Sequence, residues 1–320
     1  MQREMRRRKL GQSGLEVSPL CFGGNVLGWT ADEPTSFKVL DAFISAGMNF
    51  IDTADVYSKW APGNQGGESE TILGRWMKQR GNRDKVIIAT KVGSDMGPPG
   101  KGLSRTYIAR AVDASLKRLQ THYIDLYQSH VDDQETPLEE TLDAYAHLIA
   151  QGKVRAIGAS NYTAERLTQA LQVSKQHGYP RYESLQPLYN LYDRANYEAA
   201  LEPLCQTAGV GVISYSSLGS GFLSGKYRTE EDTSKSVRGQ GVKRRYYNDR
   251  GFRILGALDE VARKHRSTPA AVGLAWLLSR PGLTAPIVSA TSVEQLNELT
   301  AVVRLELDAA SITHLNQAST

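Results

Sequence analysis

Eight short apolar runs, each followed by a longer stretch with helical spacing, constrain this 320-residue chain more than any other feature. The runs are 17–22, 49–53, 85–91, 124–129, 154–159, 184–188, 211–214 and 285–288. They are rich in Val, Ile, Leu and Tyr, as parallel strands covered on both faces are. Amphipathic segments lie between and after them, at 34–46, 68–79, 106–119, 137–150, 164–177, 196–207, 252–264, 269–278 and 292–301. Ser104 and Thr163 stand where an N-cap belongs, Pro137 and Pro269 suit a first turn, and Gly47, Gly152 and Gly178 suit a C-terminal stop. Alternation at this spacing predicts an α/β fold, a closed (β/α)8 TIM barrel occupying 1–320 as one domain, rather than an open sheet. Residues 9–18 read as a short β-hairpin about Ser13-Gly14 ahead of the barrel. The longest irregular stretch is 227–251, and a loop of that length in a compact domain is usually functional or disordered.

Lys and Arg number 38 against 34 Asp and Glu, a net charge of +4. The positive charge gathers in Arg3, Arg6, Arg7, Arg8 and Lys9, and again from Lys235 through Arg238, Lys243, Arg244 and Arg245 to Arg250 and Arg253. Such clusters are most often a solvated terminus and a solvated loop, so neither nucleic acid nor membrane is the expected partner. The second cluster has a more specific candidate partner in the phosphates of a cofactor. Cys21 and Cys205 belong to no CxxC or Cys/His spacing, which argues against a disulfide scaffold and a metal site. The arginine-rich start is not followed by an apolar stretch of signal-peptide length, and no run of about 18 apolar residues occurs. A cytoplasmic protein is expected, and no feature names an oligomeric state.

In a barrel of this kind, chemistry belongs at the C-terminal ends of the strands. The second run ends in Asp52-Thr53-Ala54-Asp55-Val56-Tyr57, the third in Lys91, the fourth in Gln128-Ser129-His130, and the fifth in Ser160-Asn161-Tyr162. A charged residue directly abutting an apolar strand is costly unless paired, so Asp52 and Lys91 on adjacent strands are expected to pair. A phenol beside that lysine is expected to have its pKa lowered from about 10 towards the range of a general acid. A histidine on the next strand could donate a hydrogen bond to a carbonyl oxygen. Each of these residues alone is more often an ion pair or a satisfied polar group; four at successive strand ends are much harder to dismiss.

The stretches 50–57, 88–91, 125–130, 158–162 and 215–227, with the opening 9–18 and the late 289–298, resemble those of the aldo-keto reductases, in order and over essentially the whole chain. The resemblance implies a reductase of aldehyde or ketone carbonyls that uses NADPH. Tyr57 would be the proton donor, Lys91 would depress its pKa, Asp52 would hold Lys91 charged, and His130 would position the substrate oxygen. Ser160, Asn161 and Gln186 would bond the nicotinamide amide, with Tyr215 stacked on the ring. Gly24 and the loop residues Ser216, Leu218, Ser220 and Gly221 would line the rest of the cofactor cleft, the loop cradling the pyrophosphate. Lys226 and Arg238 would meet the 2′-phosphate or the adenine, and Thr291, Gln295 and Glu298 the adenosine. Cations at that end favour NADPH over NADH through charge-assisted bonds. Ser289 stands where a glycine is common, and Leu299 where relatives often have asparagine. Asn25, Trp29, Trp60 and Tyr189 are the candidates for a substrate pocket around Tyr57, and the two tryptophans read equally well as cover for the barrel rim.

The loop 216–226 is not a P-loop, because Lys226 is followed by Tyr227 and the first glycine is misplaced; nor does a GxGxxG follow the first strand. A cofactor-binding regulatory barrel resembling potassium-channel β-subunits is the alternative to an enzyme. His130 favours the enzyme, since it completes the set of four. A basic nucleic-acid-binding barrel is the weakest reading, and steep salt dependence of DNA binding would be its mark.

Overall fold

Register closes this chain on itself. The computed structural model describes residues 6–98 and 100–320; Arg3 of the first basic cluster lies outside the described residues. Strands β1 (Arg8–Lys9) and β2 (Glu16–Val17) form an antiparallel hairpin. Eight parallel strands follow: β3 (Cys21–Gly23), β4 (Phe50–Asp52), β5 (Ile87–Val92), β6 (Ile124–Ser129), β7 (Val154–Ser160), β8 (Tyr182–Gln186), β9 (Gly211–Ser214) and β10 (Leu283–Val288). Each pairs with the next, and β10 pairs with β3, so the sheet is a closed barrel. Outside it run α1 (Glu33–Ser45), α2 (Glu68–Arg80), α3 (Arg105–Leu119), α4 (Leu138–Ala150), α5 (Ala164–His177), α6 (Glu202–Ala208), α7 (Gly239–Tyr246), α8 (Asp249–Lys264), α9 (Pro269–Leu278), α10 (Val293–Thr300) and α11 (Ala309–Ser319). Ser104 and Thr163 cap α3 and α5 through their side-chain oxygens. None of the described helices is long and apolar enough to cross a membrane.

Inward positions alternate along each strand, and they change character along the barrel axis. Cys21, Phe50, Ala89, Leu126, Ala156, Ile213 and Ala285 form one buried cluster with Leu10, Leu15 and Val17, so the hairpin plugs the lower end. Two residues further on, the inward positions turn polar: Asp52 follows Phe50, Lys91 follows Ala89, and Gln128 follows Leu126. Lys91 pairs with Gln128 across β5 and β6, and Ser160 pairs with Gln186 across β7 and β8. A second, larger core fills the space between strands and helices, with Phe43, Trp76, Tyr145 and Trp276 fully buried in it.

Several expectations are corrected. The first expected strand, 17–22, is divided: Val17 ends the hairpin and Cys21 starts the barrel, with Pro19, which lacks an N–H, between them. The expected helix at 196–207 opens as a π-helical turn (Tyr197–Leu201) before α6. The stretch 227–251 is not irregular throughout; it holds a 3-10 turn (Glu231–Lys235), α7 and the start of α8. Buried Val242 and Tyr246 hold α7 down, and the Tyr246 ring stacks on Phe222 at 5.3 Å. Helix α11 has no counterpart in the expected elements; Asp308 caps it, and Arg250 and Arg253 bond the carbonyls of Ser319, Ala318 and Thr320. The basic clusters are therefore only partly solvated. Arg8 likewise donates to the carbonyls of Leu278, Leu283 and Thr284.

Candidate active site

The polar inward layer ends at one buried carboxylate. Asp52 Oδ2 accepts from Lys91 Nζ at 2.6 Å and from the Tyr57 hydroxyl at 3.3 Å. Its Oδ1 accepts from the side-chain amides of Gln186 at 2.8 Å and Gln128 at 3.2 Å. Lys91 Nζ has two further acceptors, the Thr53 carbonyl at 2.9 Å and the Tyr57 hydroxyl at 2.8 Å. Lys91 and Asp52 are essentially inaccessible to solvent, so removing either would leave the other as an uncompensated buried charge. Strands β4 and β5 bring the pair together, and the turn 53–57 folds the phenol back over it. His130, beyond the end of β6, meets Tyr57 edge-on with ring centres 5.9 Å apart.

The electrostatics differ from the expectation for Tyr57. Burial, and then the Asp52 carboxylate, push its hydroxyl well above the ordinary phenol value, where the lysine alone would lower it. Asp52 lies too close to both groups for Lys91 to act on the phenol as an isolated cation. Burial draws Lys91 downward and Asp52 opposes it. Burial, and then Lys91, draw His130 down to about 3, so its imidazole is neutral at physiological pH. Its Nδ1 is buried and has no partner among the described residues. The arrangement is a protonated phenol against an ammonium, with a neutral imidazole facing the same mouth. Such a set can donate a proton to an oxygen and stabilise the phenolate left behind.

A polar rim continues from this mouth. Ser160 Oγ donates to the Gln186 carbonyl at 2.9 Å, and Asn161 Nδ2 donates to the His130 carbonyl at 3.0 Å. The Tyr215 hydroxyl donates to Asn161 Oδ1 at 2.9 Å, which spans the rim from β9 to β7. Of six described non-glycine residues with positive φ, Ser58, Asn161, Ser216 and Ser220 all lie in these strand-end loops. Backbone held in that region is costly and gathers at functional sites. Gly219 (φ 56°), Ser220 (φ 56°) and Gly221 (φ 93°) form a left-handed run, and departures of this kind can turn successive N–H groups towards an anion. A Cβ on Gly221 would meet Lys226 Cε at 2.7 Å. Leu218 packs its side chain on the outer core, and Asn190 donates to the Ser216 carbonyl at 3.0 Å, which pins the loop from below. Gly24 sits where a Cβ would meet Ser69 Oγ and the Asp52 carbonyl within 3 Å.

Lys226 and Arg238 have no carboxylate partner among the described residues, unlike Arg228, Lys243 and Arg245 near them. The Lys226 ammonium lies 4.8 Å from the centre of the Tyr227 ring. Arg238 lies 5.1 Å over Trp29, and with the Asn25 amide oxygen turned towards it that oxygen accepts from Nη2 at 2.9 Å. Asn25 Nδ2 then donates to Ser289 Oγ, which itself donates to the Gly23 carbonyl at 2.8 Å. A serine at 289 thus ties β10 to β3. The Thr291 N–H and hydroxyl donate to Gln295 Oε1 at 3.0 and 3.1 Å, and Glu298 is exposed on α10. Leu299 faces the core. Two cations without a carboxylate partner among the described residues, a left-handed loop and an aromatic platform at Tyr215 fit an extended phosphate-bearing dinucleotide.

Among the pocket candidates, Trp29 and Trp60 pack edge-to-face at 5.6 Å, and Trp60 reaches Tyr57 at 5.9 Å while remaining 48% exposed. Tyr189 is not brought to this mouth. It is fully buried against Tyr197 and Trp276, its hydroxyl bonded to Glu198 at 2.7 Å, because its outward position on the chain after β8 faces the helices. Gln128, named in the sequence only as part of a strand end and given no role, and Asn190, not named there, join the site. The inward parity of β6 carries a signal for Gln128; nothing local does so for Asn190.

A family model described as Aldo/keto reductase family matches residues 19–320. An uncharacterized oxidoreductase of Bacillus subtilis (strain 168), YrpG, is 34% identical over 315 residues, covering 96% of this chain and 94% of that protein. A norsolorinic acid reductase of Aspergillus flavus is 32% identical, covering 96% of this chain and 79% of its own. A probable voltage-gated potassium channel subunit beta of Oryza sativa subsp. japonica is 33% identical, covering 92% and 90%. With its closed barrel, and with that match over nearly all its length, the chain belongs to the aldo/keto reductase family of oxidoreductases.

Proposed function

We propose that this chain, acting as one barrel domain, is an NADPH-dependent reductase that converts aldehyde or ketone carbonyls to alcohols. The observation that carries the reading is the Tyr57 hydroxyl held 2.8 Å from buried Lys91, which is itself 2.6 Å from Asp52. When bound, the nicotinamide supplies the hydride. Ser160, Asn161 and Gln186 would orient its amide, and Gln186, whose Nε2 donates to Asp52 at 2.8 Å and to Gln128 at 3.3 Å, would release the longer of these bonds to donate to it. Tyr215 would cover the ring, and Gly24, Ser216, Leu218, Ser220 and Gly221 would line the path of the pyrophosphate. Lys226 and Arg238 would meet phosphate charge, with Thr291, Gln295 and Glu298 at the adenosine.

The roles of the four central groups follow from their charges. Tyr57 keeps its proton across the physiological range and gives it to the carbonyl oxygen as negative charge builds there. The alkoxide is the stronger base, so the transfer runs downhill even from a weakly acidic phenol. Lys91 then faces the new phenolate at hydrogen-bond distance, and Asp52 keeps the ammonium charged. Neutral His130 donates a hydrogen bond to the substrate oxygen without competing for the proton. Trp29 and Trp60 would flank the substrate.

The regulatory alternative draws on the likeness to the potassium channel subunit. The intact four-residue set favours turnover. Purified protein with NADPH and a panel of small aldehydes and ketones decides between them: loss of nicotinamide absorbance with formation of alcohol supports the enzyme. Tight NADPH binding without turnover of any carbonyl supports the regulatory barrel.

A further inference from the structure

The turn 53–58 that carries Tyr57 is anchored at nearly every polar side chain. Thr53 bonds Ser69 at 2.8 Å, and Ser58 bonds the Leu27 carbonyl at 2.6 Å. Asp55 is the exception. It is 2% exposed, and neither carboxyl oxygen has a partner among the described residues.

Its surroundings say which form it takes. Glu70 on α2, fully buried, accepts from Arg118 Nε on α3 at 2.6 Å and from Thr90 Oγ1 at 2.5 Å. The Arg118 guanidinium, whose charge acts on both carboxyls, is thus already held by Glu70, and Asp55 has no hydrogen bond to it. A second carboxylate would be a net buried charge, and such sites keep a proton instead. The groups whose charges act on Asp55 are Glu70, Arg118 and Lys91; the phenols of Tyr107, Tyr127 and Tyr145 feel its charge in turn. The Tyr127 hydroxyl is likewise buried without a partner among the described residues. Burial, and then Glu70, push the Asp55 carboxyl up to about 7, against the pull of Arg118.

Two backbone hydrogen bonds connect this acid's stretch of the turn with the strand below and with the phenol's peptide. The Asp55 N–H donates to the Lys91 carbonyl at 3.3 Å, and the Tyr57 N–H donates to the Ala54 carbonyl at 3.2 Å. An ionised Asp55 must draw Arg118 away from Glu70 or swing towards water, and either movement pulls on the peptides that hold Tyr57.

We propose that Asp55 is built into the folded protein as a neutral acid and serves as a positioning residue: with its proton, the turn holds Tyr57 on Lys91; once the proton passes to solvent, the turn shifts and that contact is lost. The inference rests on the proposed reductase only for its activity readout, so three measurements are made together. Full-length protein with carbon-labelled Asp and Tyr is titrated by NMR from about pH 5 to about pH 9, spanning neutrality. Melting temperature and kcat/KM for an aldehyde are followed over the same range, for wild type, Asp55→Asn and Glu70→Gln.

The carboxyl signal absent from Asp55→Asn should titrate near neutrality in the wild type, and the Tyr57 ring signal should move in step. The unfolded chain ionises first, so wild-type stability falls between about pH 4 and about pH 7, and the melting advantage of Asp55→Asn should grow across that window. The ratio of kcat/KM at low to high pH should drop several-fold in Asp55→Asn. Glu70→Gln frees the guanidinium and should move the Asp55 titration to lower pH. An Asp55 carboxyl that titrates in the ordinary carboxylate range overturns the proposal, as does a Tyr57 ring signal indifferent to it. Protein that reduces no carbonyl would sink the reaction proposed above, while the two NMR signals would still decide the matter for Asp55.

Discussion

Replacing Lys91 with methionine removes the charge and keeps most of the side-chain volume. In the folded enzyme Nζ stands 2.8 Å from the Tyr57 hydroxyl. Two limits bound the effect on the step that leaves a phenolate behind. The loss of one charge-assisted hydrogen bond costs about 1.5–3 kcal/mol. Coulomb's law for unit charges at 2.8 Å and an effective dielectric of about 20 gives ~6 kcal/mol as an upper limit. At about 1.4 kcal/mol per factor of ten, kcat should fall roughly 10- to 10⁴-fold. Stability should fall as well, by roughly 3–5 kcal/mol, because Asp52 is left as a buried carboxylate with only amide and phenol donors. The double variant Lys91→Met with Asp52→Asn separates the two losses: it should regain most of the melting temperature and almost none of the rate. The assay is NADPH oxidation with a small aldehyde, beside a melting curve for each variant. A folded Lys91→Met enzyme within a few-fold of wild type, with an unchanged pH–rate profile, would refute the coupling of lysine to phenol.

Tyr57→Phe keeps the ring and removes the transferable proton, so turnover should drop by roughly 10² or more while NADPH affinity, read by fluorescence quenching, stays near normal. Because His130 is drawn down to about 3, kcat/KM should show no histidine limb between about pH 5 and about pH 8. A limb in that interval that disappears in His130→Asn would mean the imidazole titrates during catalysis. Removing Lys226 or Arg238 with alanine should weaken NADPH roughly 10- to 100-fold and NADH far less, if each holds phosphate charge. Equal effects on the two cofactors would return both residues to the solvated surface.

The barrel was legible because its determinants are local and repeated. Apolar runs too uniform for one-sided strands, separated by helical stretches with caps at Ser104 and Thr163, allow few closures other than eight parallel strands. The pairing of Asp52 with Lys91 was legible for a related reason, since a charge at the end of a buried strand must find an opposite one. What went unread lacked a local signal. Helix α7 inside 227–251 depends on Tyr246 finding Phe222, and α11 depends on arginines some sixty-five to seventy residues away. Tyr189 was misplaced because one turn beyond a strand decides whether a ring faces the mouth or the helices.

Alternation and residue type by themselves determined that this chain makes a barrel, which end of it carries polar groups, and that a phenol, an ammonium, a carboxylate and an imidazole would lie at that end. Only the tertiary structure decided how those four act on one another. Sequence places a lysine near a tyrosine and so predicts a more acidic phenol. Packing sets Asp52 against both, strips water from the group, and pushes the phenol the other way. Burial and the distances among three charges set a proton's affinity, and those distances exist only once strands far apart in the chain lie side by side.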